Sequence, residues 1–160
     1  MRTLKGLAIG ALVLASIVGL VAGVARLGDG PLGPFPGGVL IGELVQAPVD
    51  DWSFLDSIDR VEFQVSPAHP RSLTVWIMTH QGRPYVPAAF ATRKSWPREV
   101  IEDGRVVLRV EQRLYELEAT LVRDHSTRLA LEKEMAAKYG GESAAEPRDG
   151  TWYFRLDPRS

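Results

Sequence analysis

The sequence predicts a mainly β fold, an antiparallel barrel with two short helices, carried behind one N-terminal transmembrane helix. Three observations predict it. From Val39 onward the apolar residues recur mostly with period two, the spacing of strands that bury one face. The strand-like runs follow one another without regular βαβ alternation, which argues against a parallel sheet. Ahead of them, Gly6 to Ala25 is an apolar run whose only polar side chain is Ser16.

That run is long enough, at about 1.5 Å per residue, to cross a bilayer core of roughly 30 Å as a helix. Arg2 and Lys5 precede it, and only Arg26 follows before Asp29. By the positive-inside rule the N-terminus is cytoplasmic and the C-terminal domain extracytoplasmic, with residues 6–25 in the lipid bilayer. The alternative is a cleaved signal peptide ending at Gly23-Val24-Ala25. The apolar core of a signal is usually only about 7–15 residues, so length favours an uncleaved, single-pass membrane anchor. A buried core helix is the weakest choice, because the run is apolar on every face.

The expected division is an anchor at 1–26, a linker at 27–38 and a barrel domain at 39–160. The linker holds Gly28, Gly30, Pro31, Gly33, Pro34, Pro36, Gly37 and Gly38, a composition that resists both helix and sheet. Overall the chain is 45% hydrophobic and 24% charged with a net charge of -1, so it lacks the basic excess of a nucleic-acid binder. The absence of cysteine excludes disulfides, cysteine-based zinc sites and a cysteine nucleophile.

Along the barrel, Val39-Leu40-Ile41 and Leu44-Val45 suggest a first strand with Gly42 as a bulge. Asp50 to Phe54 reads as a turn or short helix with a buried aromatic. Val61, Phe63 and Val65 alternate with Glu62 and Gln64, a half-buried strand closed by Pro67 and Pro70. Leu73, Val75 and Ile77 alternate with Thr74, Trp76 and Met78; two mostly apolar faces predict a central strand. Gln81-Gly82 is a hairpin turn into Pro84–Ala89. A helix over Ser95–Ile101 ends at Asp103-Gly104, and strands follow around Val106–Val110 and Tyr115–Leu121. Ser126 is placed to N-cap a helix with Leu131, Met135 and Tyr139 on one stripe. Gly140-Gly141 stops that helix, a polar loop follows, and Trp152, Phe154 and Leu156 form the last strand. The charged helix face Arg128–Lys138 reads as solvated.

The chemistry points to Thr92-Arg93-Lys94-Ser95, where two cations and two hydroxyls stand at the head of a helix. First-turn N–H groups favour an anion there, and Pro97 fits that turn without wasting a donor. Arg71, at the mouth of the neighbouring strand, is placed to reach the same anion. The competing reading is that Arg93 and Lys94 are solvated surface charges. His69, His80 and His125 show no metal-ligand spacing, so no metal site is expected, and His80 reads as a loop residue. No nucleophile-elbow pattern marks a catalytic triad, so catalytic residues stay unknown. Of the tryptophans, Trp96 beside the cations is the candidate to stack on a ring.

These residues resemble the FMN-binding split barrels, the superfamily of pyridoxamine-phosphate oxidase and the deazaflavin-dependent reductases. The similarity rests on Arg71-Ser72-Leu73-Thr74-Val75-Trp76, on Tyr85-Val86-Pro87-Ala88 followed by Thr92-Arg93-Lys94, and on the closing Trp152 to Pro158. It covers roughly Val61 to Pro158 and implies a split antiparallel β-barrel. It further implies that Arg71, Thr92, Arg93 and Lys94 hold the phosphate of FMN or a deazaflavin. The backbones of Ser72, Leu73, Thr74, Val75, Trp76, Pro87 and Ala88 would then flank the ring. A homodimer with cofactor at its interface is implied in the same way. Three positions depart from the pattern: Trp76 replaces a lysine, Leu114 a glutamine, and Ser66 to Pro70 the glycine-rich loop of the deazaflavin branch. The expectation is a membrane-anchored flavin- or deazaflavin-binding oxidoreductase, with a non-catalytic extracytoplasmic binding module for a small-molecule ligand as the alternative.

Overall fold

The computed structural model describes residues 2–141 and 146–159. Helix α1 (Arg2–Leu27) leads in, followed by strands β1 (Glu43–Leu44), β2 (Arg60–Val65), β3 (Arg71–Trp76), β4 (Met78–His80) and β5 (Arg83–Ala88). Helix α2 (Trp96–Glu102), β6 (Arg105–Val110), β7 (Arg113–Leu121), α3 (His125–Tyr139) and β8 (Trp152–Pro158) complete the chain. The ladder runs β3-β2-β6-β7-β8-β5-β4, with β1 beside β7. Among the described residues only the β1–β7 pair is parallel. Since only Ile77 separates β3 from β4, the ladder begins and ends on one continuous segment, which is what closes a barrel.

Period two delivers the core. Phe63 sits opposite Leu73 on one side and Leu108 on the other, and Leu108 faces Tyr115. Phe63, Leu108, Val86, Phe154 and Ile77 are fully buried. Trp96 plugs one end, edge-on to Phe63 at 5.8 Å, and Trp52 packs against Tyr115 at 5.0 Å. A second cluster of Met78, Tyr85, Leu131 and Tyr153 forms where α3 covers the sheet. The hairpin turn holds: Gln81 and Gly82 both take positive φ, 51° and 72°, the combination a two-residue turn between twisted strands requires.

Four expectations need correction. The first strand shrinks to Glu43–Leu44, because the N–H groups of Leu40 and Ile41 are taken by side chains, Gln64 Oε1 at 2.7 Å and Asp29 Oδ1 at 2.9 Å. Gly42 is no bulge; it lets the chain pass close to the Gln112 carbonyl. The strand of Leu73 and Val75 is not central: among the described strands β3 pairs with β2 alone, its other edge meeting only Gly37, and its outward Thr74 and Trp76 are exposed. Finally, Asp124 and not Ser126 caps α3, accepting from the Thr127 N–H at 2.7 Å.

The Gly/Pro-rich stretch 27–38 lies against the barrel. Gly37 and Ser72 exchange two backbone hydrogen bonds, 2.9 and 3.1 Å. Glycine is obligatory at 37, where a Cβ would lie 1.9 Å from the Gly30 carbonyl oxygen. The polar loop expected after Gly141 falls partly on residues 142–145, outside the described residues. Helix α1 is long and apolar enough to cross a membrane over Ile9–Leu27, with mean hydropathy 2.1.

The charged cap of α3 sets a pH prediction. Hydrogen bonds from Ser126 and Thr127 lower the Asp124 pKa from 3.8 to about 2. The native state therefore holds its carboxylate at pH values where the unfolded chain is protonated, so the contribution is complete above the unfolded value and fades as pH falls through about 2. The gap in thermal midpoint between the wild type and Asp124→Ala is expected to narrow across that window. A gap independent of pH would contradict the capping role.

Candidate functional site

Arg71 opens β3 directly after Pro70, and its guanidinium turns toward α2. Its Nη2 donates to Ser95 Oγ at 3.0 Å and to Glu99 Oε1 at 2.7 Å. Ser66 Oγ donates to the other oxygen of Glu99 at 2.6 Å. Arg71 is thus brought to the head of α2 as the sequence suggested, but Glu99 already neutralises it. That acid sits one turn into α2 and faces back toward the strand, a partner that strand and helix periodicity read separately do not reveal.

Thr92, Arg93 and Lys94 follow a left-handed Phe90, at φ 53°, in a single 3-10 turn. The turn is anchored by buried Ala91, whose N–H donates to the Gly150 carbonyl at 2.8 Å, and by Arg98, which donates to the Thr92 carbonyl. All three side chains are exposed. Arg93 lies over the Phe90 ring at 6.0 Å; neither it nor Lys94 makes an ion pair among the described residues. Ser95 does not cap α2 with its side chain.

The remaining expected residues divide by the pleat. Val75 points into the barrel core, Leu73 is half-buried against it, and Pro87 and Ala88 are buried in β5 opposite Tyr153 and Trp152. Ser72 is fully buried, its backbone taken by Gly37 and its Oγ without a partner. Because Ser72 turns its backbone groups away from β2, Thr74 and Trp76 do the same by antiparallel alternation. They form an open backbone edge. Trp96 is unavailable for ring stacking, being 7% exposed and wedged between Phe63 and Phe154. The exposed tryptophan is Trp76, stacked on Tyr139 at 5.0 Å and 13°. His80 is not a free loop residue either, since its Nδ1 pairs with Glu134 at 2.7 Å.

A phosphate-bearing cofactor fits these residues at one end and partly at the other. Thr92, Arg93 and Lys94 offer an uncompensated cationic turn, and Thr74 and Trp76 offer an open edge. The edge at Ser72 is closed by the chain's own Gly37, and the described cavities do not join the two halves.

Scanning against protein-family models gives no match, and a search of curated proteins gives none of significance. Solved structures do match. The conserved hypothetical protein Rv2991 of Mycobacterium tuberculosis superposes with TM-score 0.56 at 15% identity, over 74% of this chain and 86% of that one. A pyridoxamine 5'-phosphate oxidase-like protein of Listeria innocua gives 0.55 at 11%, over 68% and 90%. The fold is the one these proteins share, a split β-barrel. The heme storage protein HutZ of Vibrio cholerae matches too, with TM-score 0.52 at 16% identity over 68% and 87%. A split barrel thus occurs in proteins named for different ligands, so the choice of ligand rests on this chain's own side chains.

Proposed function

We propose that the protein is a membrane-anchored split barrel that binds FMN or a deazaflavin and acts as an oxidoreductase. The observation that carries this reading is the Arg71–Ser95 hydrogen bond, which links the open edge of β3 to the exposed cations of the Thr92–Lys94 turn. Arg93 and Lys94 would hold the phosphate with charge-assisted hydrogen bonds, Thr92 adding its hydroxyl and Arg71 its remaining N–H groups. Thr74 and Trp76 would meet the polar edge of the ring. A bound flavin supplies electron and hydride transfer; the chain supplies position and charge. A second copy of the chain would complete the ring slot, and the apolar helix α1 would hold the barrel at the membrane on the extracytoplasmic side.

The grip of Glu99 on Arg71 favours the second reading, a non-catalytic binding module. The two separate on the full-length chain in detergent micelles. Fluorescence titration with FMN and with a deazaflavin is expected to show saturable binding, weakened roughly a hundredfold by Arg93→Ala combined with Lys94→Ala. Glu99→Gln is expected to tighten binding, since it frees Arg71. A chain that binds neither cofactor, before or after Glu99→Gln, would sink the flavin reading. C-terminal reporter fusions test the orientation, and an active cytoplasmic reporter would reverse it.

A further inference from the structure

A second cleft opens between the β4–β5 turn, the end of β7 and the start of α3, and it shares no residue with the proposed cofactor site. Its volume is about 480 Å³, inside the roughly 300–1,000 Å³ range of small-molecule sites. Guanidinium groups reach it from three places: Arg83 on β5, Arg155 on β8 and Arg123 between β7 and α3. Asp157 holds one edge of two of them, accepting from Arg83 Nη1 at 3.0 Å and Arg155 Nε at 2.8 Å. Each keeps further N–H donors, because a guanidinium carries five. Arg123 makes no ion pair among the described residues. Of the other acids nearby, Asp124 caps α3, and Glu134 meets His80 through Oε1 while its Oε2 is buried without a partner.

A second, independent observation lies in the cleft wall. Tyr85 is 5% exposed, its ring packed among Met78, Leu131 and Tyr153. Its hydroxyl makes no hydrogen bond to the described residues and opens into the cleft that the residue lines. Register makes the placement structural, since Tyr85 pairs directly with Arg155 across β5 and β8, and Arg155 with Thr120 across β8 and β7.

We propose that this cleft binds a small soluble molecule through a carboxylate or phosphate oxyanion, which accepts from the Tyr85 hydroxyl and is clamped by Arg83, Arg123 and Arg155. The source is solution and not a lipid headgroup. Arg26, at the exit of α1, lines a different cleft together with Arg71. His80 stands at the other end of the segment Arg71–His80, up to roughly 30 Å away along extended chain.

The test uses the full-length chain in detergent micelles, titrated calorimetrically with inorganic phosphate, pyrophosphate and citrate. Saturable binding of at least one is expected, and the phosphate and citrate arms tell a phosphate-type from a carboxylate-type ligand. Arg123→Gln is expected to weaken it about tenfold or more. Tyr85→Phe, which keeps the packed ring, is expected to weaken it several-fold. Arg93→Ala with Lys94→Ala leaves it unchanged, which separates this cleft from the cofactor site. No saturable binding of any of the three anions would overturn the proposal, as would binding insensitive to both Arg123→Gln and Tyr85→Phe. Preferential binding to phosphatidic acid vesicles, abolished by Arg123→Gln, would overturn the soluble source.

Discussion

Replacing Arg109 by methionine is expected to cost about 3 kcal/mol of stability and to free residues 28–42 from a barrel that still folds. Arg109 stands on β6, 8% exposed, with Nε on Glu62 of β2 and Nη1 on Asp29 of the Gly/Pro-rich stretch. The same Nη1 donates to the Ile41 carbonyl at 2.8 Å. Asp29 Oδ1 in turn accepts the Ile41 N–H at 2.9 Å. One guanidinium therefore ties two barrel strands to both ends of the segment. Methionine keeps the volume but leaves two carboxylates facing each other without their cation. Glu62 and Asp29 are 29% and 43% exposed, so water screens part of that loss and the cost stays near the low end of roughly 3–5 kcal/mol for breaking a buried pair. A drop in thermal midpoint on the order of 10 °C follows. Amide exchange at Gly37, Leu40 and Ile41 should accelerate well before the core strands exchange. Protection retained at those amides with an unchanged midpoint would show that the segment is held by something else.

That segment also shows where the sequence was readable and where it was not. Alternation at Val61–Val65, Val106–Val110 and Tyr115–Leu121 is a local signal, and those strands stand where it puts them. The Gln81-Gly82 turn is local too. By contrast, Gly28 to Gly38 resists regular structure, and composition alone makes it a spacer. Its docking depends on Arg109, eighty residues from Asp29, and on a Gly37–Ser72 bridge that only the folded barrel creates. The break of Arg71–His80 at Ile77 is equally hidden. Trp76-Ile77-Met78 reads as unbroken strand because the Lys138 and Tyr139 side chains that reach Ile77, beside the Asp59 carbonyl, lie on α3.

The candidate site was legible as a set of residue types and less so as an arrangement. Thr92, Arg93 and Lys94 emerge exposed at the end of β5, and Arg71 does reach Ser95. Glu99 and Trp76 changed the reading in opposite directions. Glu99 withdraws a cation, and its backward reach is set by the angle between α2 and β3. Trp76 becomes the exposed ring in place of Trp96, because the short helix drives Trp96 into the barrel end. The Tyr85–Arg123 cleft left no local trace, since its donors come from β5, β8 and the β7–α3 connection, which only the folded sheet brings together.

Lys138→Met is the second substitution with a large expected effect, a loss of about 2–3 kcal/mol. The helix face that sequence reads as solvated turns this lysine inward. Its Nζ donates to the carbonyls of Leu55 at 2.8 Å, Ile58 at 2.7 Å and Ile77 at 3.0 Å, all three donors in use. Burial pulls its pKa below the ordinary lysine value. Beside it the Tyr139 hydroxyl reaches the Ile77 carbonyl and the Asp59 carbonyl, and accepts the Ile77 N–H at 3.2 Å. These contacts satisfy the backbone where the β3–β4 segment leaves both ladders, so α3 closes the barrel at its seam. Methionine fills the space but strands the carbonyls, and the seam should loosen first. Tyr139→Phe keeps the stack on Trp76 and removes only the hydroxyl. Both side chains converge on the Ile77 carbonyl, so the pair should be non-additive, with an interaction energy above about 0.5 kcal/mol in urea unfolding. Additive losses would mean that the two side chains stabilise separate features and that α3 merely covers the sheet. A coupled loss with faster exchange at Ile77 would identify α3 as the clasp of the barrel.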